Sequence, residues 1–192
     1  MRGYFGLGVE GVSKAMNVGN LFRSAHAFGA SFVFTVAAAY ARREGGKSDT
    51  SDTPGHVPFY GFPDAGSLVL PKACVLVGVE LADGAVELPT FHHPRQAAYV
   101  LGPERGGLSP ELTARCGFVV RIPTAFSLNV GIAGAIVMYD RLISLGRFQR
   151  RPARPGAPPG ALSEHVFGEP KRRRKMEKFR ASPPEDGTNT GQ

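Results

Sequence analysis

The sequence predicts an α/β domain with a mainly parallel sheet and helices on both faces. Two observations carry that expectation. Short runs rich in β-branched and aromatic residues alternate with segments of helical periodicity, the order expected of strand–crossover–strand units. Those runs are also apolar nearly throughout, as strands covered on both faces are. At 192 residues, the chain suits one domain of about 150 residues with a real core, plus a tail.

The elements follow in order. "YFGLGV" reads as a short first strand. In "MNVGNLFRSAHAFGA", residues 16–30, Asn20 is a good N-cap, Gly29 a good stop, and Leu21, Ala25 and Phe28 form one buried helical face. "SFVFTVAA" is a doubly covered strand. Residues 41–62 are polar and rich in Gly, Pro, Ser and Thr, which predicts a long loop.

"AGSLVLP" is a short helix or turn, "CVLVGVE" a buried strand, "LPTFHHP" a connection, and "AAYVLG" another buried strand. Ser109 before Pro110 is an N-cap with proline at the first helical position, opening a helix to about Cys116. "FVVRIP" is a last short strand. "SLNVGIAGAIVMYDRLISLGRF" is then a long helix whose apolar row is Ile132, Ile136, Tyr139 and Ile143. The domain takes residues 1–150. Residues 151–192, with "RRPARPGAPPG" and "KRRRKMEKFR", read as a flexible, basic tail.

Composition narrows the function classes. The longest apolar run, 125–138, contains Ser127 and Asn129 and is shorter than the roughly 18 residues of a membrane span. The first residues lack the apolar core and cleavage site of a secretory signal. Cys74 and Cys116 are far apart in apolar contexts and read as free thiols of a reducing compartment, so the cytoplasm is the expected location. The net charge is +7. Nine Lys/Arg against five Asp/Glu place +4 of it in 151–192. That balance suggests a polyanionic partner, most often nucleic acid.

Several common sites are absent by pattern. Gly6, Gly8 and Gly11 match G-x-G-x-x-G, but too little chain precedes them, the helix begins too late, and Ser31 and Phe32 stand where a dinucleotide site needs an acid. His92 and His93 are adjacent, and no C-x-x-C or H-x-x-x-H spacing occurs, so no metal site is expected. There is no P-loop and no G-x-S-x-G elbow.

Three segments stand out together. The first is N-x-G-N-x-x-R-x-A at 17–25, and the second is L-G-x-E-x-x-G-L at 101–108, where glycines follow a buried strand. The third is I-P-x-x-x-S-L-N-V at 122–130, just before the long helix. Glycines at the carboxyl end of a parallel strand let a ligand approach the backbone. Taken singly, each segment is also an ordinary turn or helix cap, with Ser127 the N-cap in the third.

In this order and over about residues 4–146, the three segments resemble the SpoU/TrmH branch of the SPOUT RNA methyltransferases, which methylates ribose 2′-hydroxyls. The resemblance implies a trefoil knot over about 75–146 and a homodimer through the last helix, with an active site drawn from both subunits. It implies S-adenosylmethionine as methyl donor and no metal. Val79, Glu80, Leu101, Gly102, Gly107, Ile122 and Leu128 are the expected cofactor positions. Arg23, Asn17, Glu104, Ser127 and Asn129 are the expected catalytic group. Gly131 stands where the family often has serine. The expected partner is RNA, with tRNA favoured over rRNA because no N-terminal RNA-binding domain is seen; the loop 41–62 and the basic tail are expected phosphate contacts. A base-methylating enzyme and a non-catalytic RNA-binding module are the rival readings.

Overall fold

The computed structural model describes residues 3–11, 15–38, 53–103, 106–146, 148, 152 and 154–158. Glu104, most of the basic tail and residues 41–52 of the expected loop lie outside them. Strands β1 (Tyr4–Glu10), β2 (Phe32–Val36), β3 (Phe59–Phe62), β4 (Val75–Val79), β5 (Val86–Glu87), β6 (Gln96–Leu101) and β7 (Phe118–Arg121) form one sheet in the order β3-β2-β1-β6-β4-β7-β5. Every pairing is parallel. The helices are α1 (Ala15–Phe28), α2 (Thr53–His56), α3 (Pro110–Arg115) and α4 (Val130–Leu145), with a 3₁₀ turn at Leu88–Thr90.

Both faces of the sheet are covered, as the continuous apolar strands predict. On one face α1 and α4 bury Val18, Leu21, Ala25, Val137 and Met138 against Leu7, Val9, Val77 and Tyr99. On the other, Leu112 of α3 and the segment through Ala65 and Leu68 cover Phe34, Leu76, Ala98 and Val100. The glycines of β1 serve this packing. A Cβ at Gly6 or Gly8 would sit 2.3–2.4 Å from the rings of Phe32 and Phe34. They are gaps for neighbouring aromatics, which explains the literal fingerprint without a nucleotide.

Three expectations are corrected. Helix α1 begins at Ala15, so Asn17 and Asn20 lie inside its first turns and Asn20 is not its cap. The cause is Val18, only 1% exposed, which starts the buried i, i+3, i+4, i+7 row ahead of Leu21. The expected loop 41–62 contains α2 and β3. Strand β3 pairs with β2 at the sheet edge, where the aromatics of "FYGF" pack on Phe22, Phe32 and Phe34. In α4 the row Ile132, Tyr139 and Ile143 faces outward, at 55, 50 and 38% exposure, with only Ile136 packed on the core. The buried face is Val130, Gly131, Gly134, Val137, Met138 and Arg141. A helix apolar on two sides has no period that tells which side meets the sheet.

Two contacts set the position of α4. A Cβ at Gly134 would lie 2.2 Å from Cδ1 of the fully buried Leu21, so α1 and α4 cross where that glycine stands. Gly134→Val should cost about 1–3 kcal/mol by overpacking, read as a lower midpoint in urea with an unchanged slope. At the other end, Arg141 is 5% exposed. Its guanidinium donates to the carbonyls of Pro94, Arg95 and Tyr4 at 2.6, 2.9 and 3.1 Å, tying α4 to the starts of β1 and β6. Beside it the buried His93 bridges Tyr99 and Asp140 at 2.6 and 2.9 Å. Burial holds its imidazole below the ordinary histidine range, opposed by Asp140. Helix α4 is thereby held antiparallel to the strands, with its N-terminus at their carboxyl ends.

Candidate active site

The carboxyl ends of β4, β6 and β7 meet the N-terminus of α4 around a cavity of about 330 Å³. In a parallel sheet this edge is where ligands bind. Val79, Glu80, Leu101, Gly102, Gly107, Ile122 and Leu128, the expected cofactor positions, all line the cavity. Ser127 lines it too, from the loop before α4. That loop is held by Thr124, whose hydroxyl donates to the carbonyl of Phe126 at 2.9 Å.

The glycine loop after β6 is built from the backbone. A Cβ at Gly102 would lie 2.6 Å from both the carbonyl carbon of Gly107 and the amide nitrogen of Leu108. Gly106 and Gly107 have φ of +98° and +69°, which L side chains rarely adopt. Glu80 closes the rim. Its Oε2 accepts from the Leu108 amide and its Oε1 from the Leu81 amide, both at 2.9 Å.

The expected catalytic residues divide. Asn129 caps α4: its Oδ1 accepts from the Gly131 amide at 2.9 Å, and its Nδ2 donates to Oδ1 of Asn17 at 3.2 Å. The cap is thus Asn129 rather than Ser127, and the pair Asn17–Asn129 joins α1 to α4 beside the cavity. Arg23 stands on the exposed face of α1 and is not part of the cavity wall within one chain. Glu104 is outside the described residues.

Leu81, Pro103, Thr124, Val130 and Ala133 also line the cavity without having been expected there. Only their nearness to the motifs marked them. Glu10, 6% exposed at the end of β1, was missed as well. The signal was available: an acid directly after an apolar strand.

The thiols of Cys74 and Cys116 are free and partly buried, and burial pushes each up to about 11, so neither is a ready nucleophile. Among the described residues no group of three His, Cys, Asp or Glu could hold a metal ion, and no helix is long and apolar enough to cross a membrane.

The SpoU rRNA methylase family model matches residues 5–139. Among solved structures, the chain is similar to one described as giving structural insights into the 2-OH methylation of C/U34 on tRNA. The two are 21% identical, with a TM-score of 0.66, over 76% of this chain and 98% of that one. It is similar to the SpoU methyltransferase AviRb from Streptomyces viridochromogenes in complex with AdoMet, 22% identical with a TM-score of 0.66 over 74% of this chain and 58% of that one. It is also similar to a putative RNA methyltransferase of the TrmH family from Porphyromonas gingivalis, 25% identical with a TM-score of 0.62 over 73% and 59%. The chain therefore spans less than two thirds of the length of these last two. No curated protein matches it. With the second and third motifs around one cavity, Asn17 of the first joined to Asn129 beside it, and the family model covering well over half of its length, the chain belongs to the SpoU rRNA methylase family.

Proposed function

We propose that this S-adenosylmethionine-dependent RNA methyltransferase of the SpoU family methylates a ribose 2′-hydroxyl, with tRNA favoured over rRNA. The carrying observation is the glycine-rimmed cavity, on whose wall the seven expected cofactor positions converge beside Ser127. The described likeness to a structure of tRNA 2-OH methylation supports the substrate.

The cavity suits the donor. Val79, Leu101, Ile122 and Leu128 offer apolar walls for an adenine, and the backbone at Gly102 and Gly107 leaves room where a Cβ would intrude. Bound there, S-adenosylmethionine supplies an electrophilic methyl group on a sulfonium, so the reaction needs no metal. The chain's own residues orient the ribose hydroxyl in line and ease loss of its proton. Ser127 stands at the cavity wall, and the Asn17–Asn129 pair fixes the start of α4 next to it. A guanidinium offers donors and no acceptor, which makes Arg23 a poor general base. Its role is electrostatic: holding the adjacent phosphate and stabilising the forming alkoxide.

A homodimer completes the reading. Tyr139, Leu142, Ile143 and Leu145 are 38–50% exposed along α4, beside Ile132. A second copy over this row would bury them and would bring Arg23, absent from the cavity of its own chain, to the other's site. The knot over about 75–146 belongs to the same proposal, and the place of β4 between β6 and β7 is compatible with it.

The test is to map 2′-O-methylation in RNA from a deletion strain and its parent. Loss of a methylated ribose at one position, restored by the purified protein with labelled donor, is the expected result. A labelled base after nuclease digestion, or no methylated product, overturns the assignment.

A further inference from the structure

Strand β1 ends in Gly8-Val9-Glu10, and β4 runs out into the same tripeptide, Gly78-Val79-Glu80, with Glu80 just past its last residue. In the sheet, Val9 and Val79 are both registered with Leu101, one from each side of β6. Glu10 and Glu80 therefore flank Gly102 one step further on. Side chains alternate along a strand, so both glutamates project to the face covered by α3, opposite the valines.

The chain leaves β6 at Gly102 and returns between these two acids at Leu108 and Ser109. Glu80 Oε2 accepts from the Leu108 amide at 2.9 Å. Glu10 Oε2 accepts from the Ser109 amide at 2.7 Å, and its Oε1 accepts from the Ser109 hydroxyl at 2.5 Å. That hydroxyl in turn accepts from the Leu112 amide at 3.1 Å, the cap of α3. Two successive amides are thus gripped by two carboxylates from opposite sides.

Burying a carboxylate is unfavourable unless hydrogen bonds replace its water. Glu10 is 6% exposed, and it accepts from both the amide and the hydroxyl of Ser109. Helix capping alone needs only Ser109. The segment between the clamped ends contains two glycines at positive φ, whose backbone freedom leaves its course to be fixed by how its ends are held.

We propose that Glu10 and Glu80 form a two-sided clamp that fixes the returning end of the cofactor loop, at Leu108 and Ser109, and that Glu10 is a positioning residue for the methyl donor. Glu10 does not line the cavity; it acts through the loop. This rests on reading the cavity as the S-adenosylmethionine site, so the test has one readout that does not need the donor.

Hydrogen exchange in the full chain reads the clamp directly. In Glu10→Ala the amide of Ser109, and in Glu80→Ala that of Leu108, should exchange at least tenfold faster while β1 and β6 keep their protection. Unchanged exchange at both amides overturns the clamp, whatever the cavity binds. Calorimetry with S-adenosylmethionine then reads its purpose. Glu10→Ala should weaken donor binding about tenfold or more, and Glu10→Gln, which keeps one acceptor for the Ser109 amide, by less. In turnover the Michaelis constant for donor should rise while that for RNA stays. A fall in maximal rate with an unchanged donor constant would mean a merely structural role and would overturn the positioning claim. If the parent protein binds no donor while the exchange result holds, the cavity assignment fails and the clamp stands.

Discussion

Arg23→Ala should lose methylation by about a thousandfold or more, the upper range for removing one group that stabilises developing charge. Donor affinity measured by calorimetry should stay near that of the parent. The separation follows from position. Arg23 sits on the exposed face of α1 and outside the cavity wall, so its truncation removes no group from the donor pocket and opens no hole in the core. Arg23→Lys should recover only part of the activity, because an ammonium cannot hold a phosphate through two parallel hydrogen bonds. A variant that still methylates RNA at the parental rate would remove Arg23 from the catalytic group. Mixed dimers extend the test. A chain carrying Arg23→Ala and one carrying a blocked donor loop should restore activity together if the arginine acts on the other copy's site.

Gly102→Ala should weaken donor binding by about a hundredfold, as an ångström-scale misplacement does in a preformed site. The added Cβ would sit 2.6 Å from two backbone atoms of Gly107 and Leu108. Backbone cannot rotate away as a side chain can, so the loop has to move. It is held at its far end by Glu80 and Glu10, which leaves the displacement to the glycine stretch that forms the rim. The thermal midpoint should fall little, because Leu101 and the rest of β6 keep their places in the core. Calorimetry with S-adenosylmethionine checks the first statement and scanning calorimetry the second. Normal donor affinity in this variant would mean that the rim is not the cofactor's seat.

Much of the fold was legible because buried parallel strands are apolar on both faces and end abruptly. Strands β1, β2, β4, β6 and β7 fall where those runs lie. Ser109 and Pro110 likewise marked α3 through chemistry local to its first turn. The misreadings share a cause, since each depended on what the element packs against. Val18 extends α1 only because α4 and the sheet bury it. Phe59 and Tyr60 form a strand because β2 offers an edge and Phe22 and Phe32 offer rings. The outward row of α4 is as apolar as its inward face, and the inward face includes an arginine, so no periodicity could choose between them.

By itself the sequence determined the α/β class and the strand cores through local patterning, and its short motifs marked seven of the residues that line the cavity. Only the tertiary structure decided which face of α4 is buried, that Asn129 rather than Ser127 caps it, and that Glu10 and Glu80 meet the same loop from opposite sides. Those are relations between strands and helices distant in the chain. Glu10 and Ser109 are ninety-nine residues apart, and parallel pairing on both sides of β6 brings them within 2.7 Å.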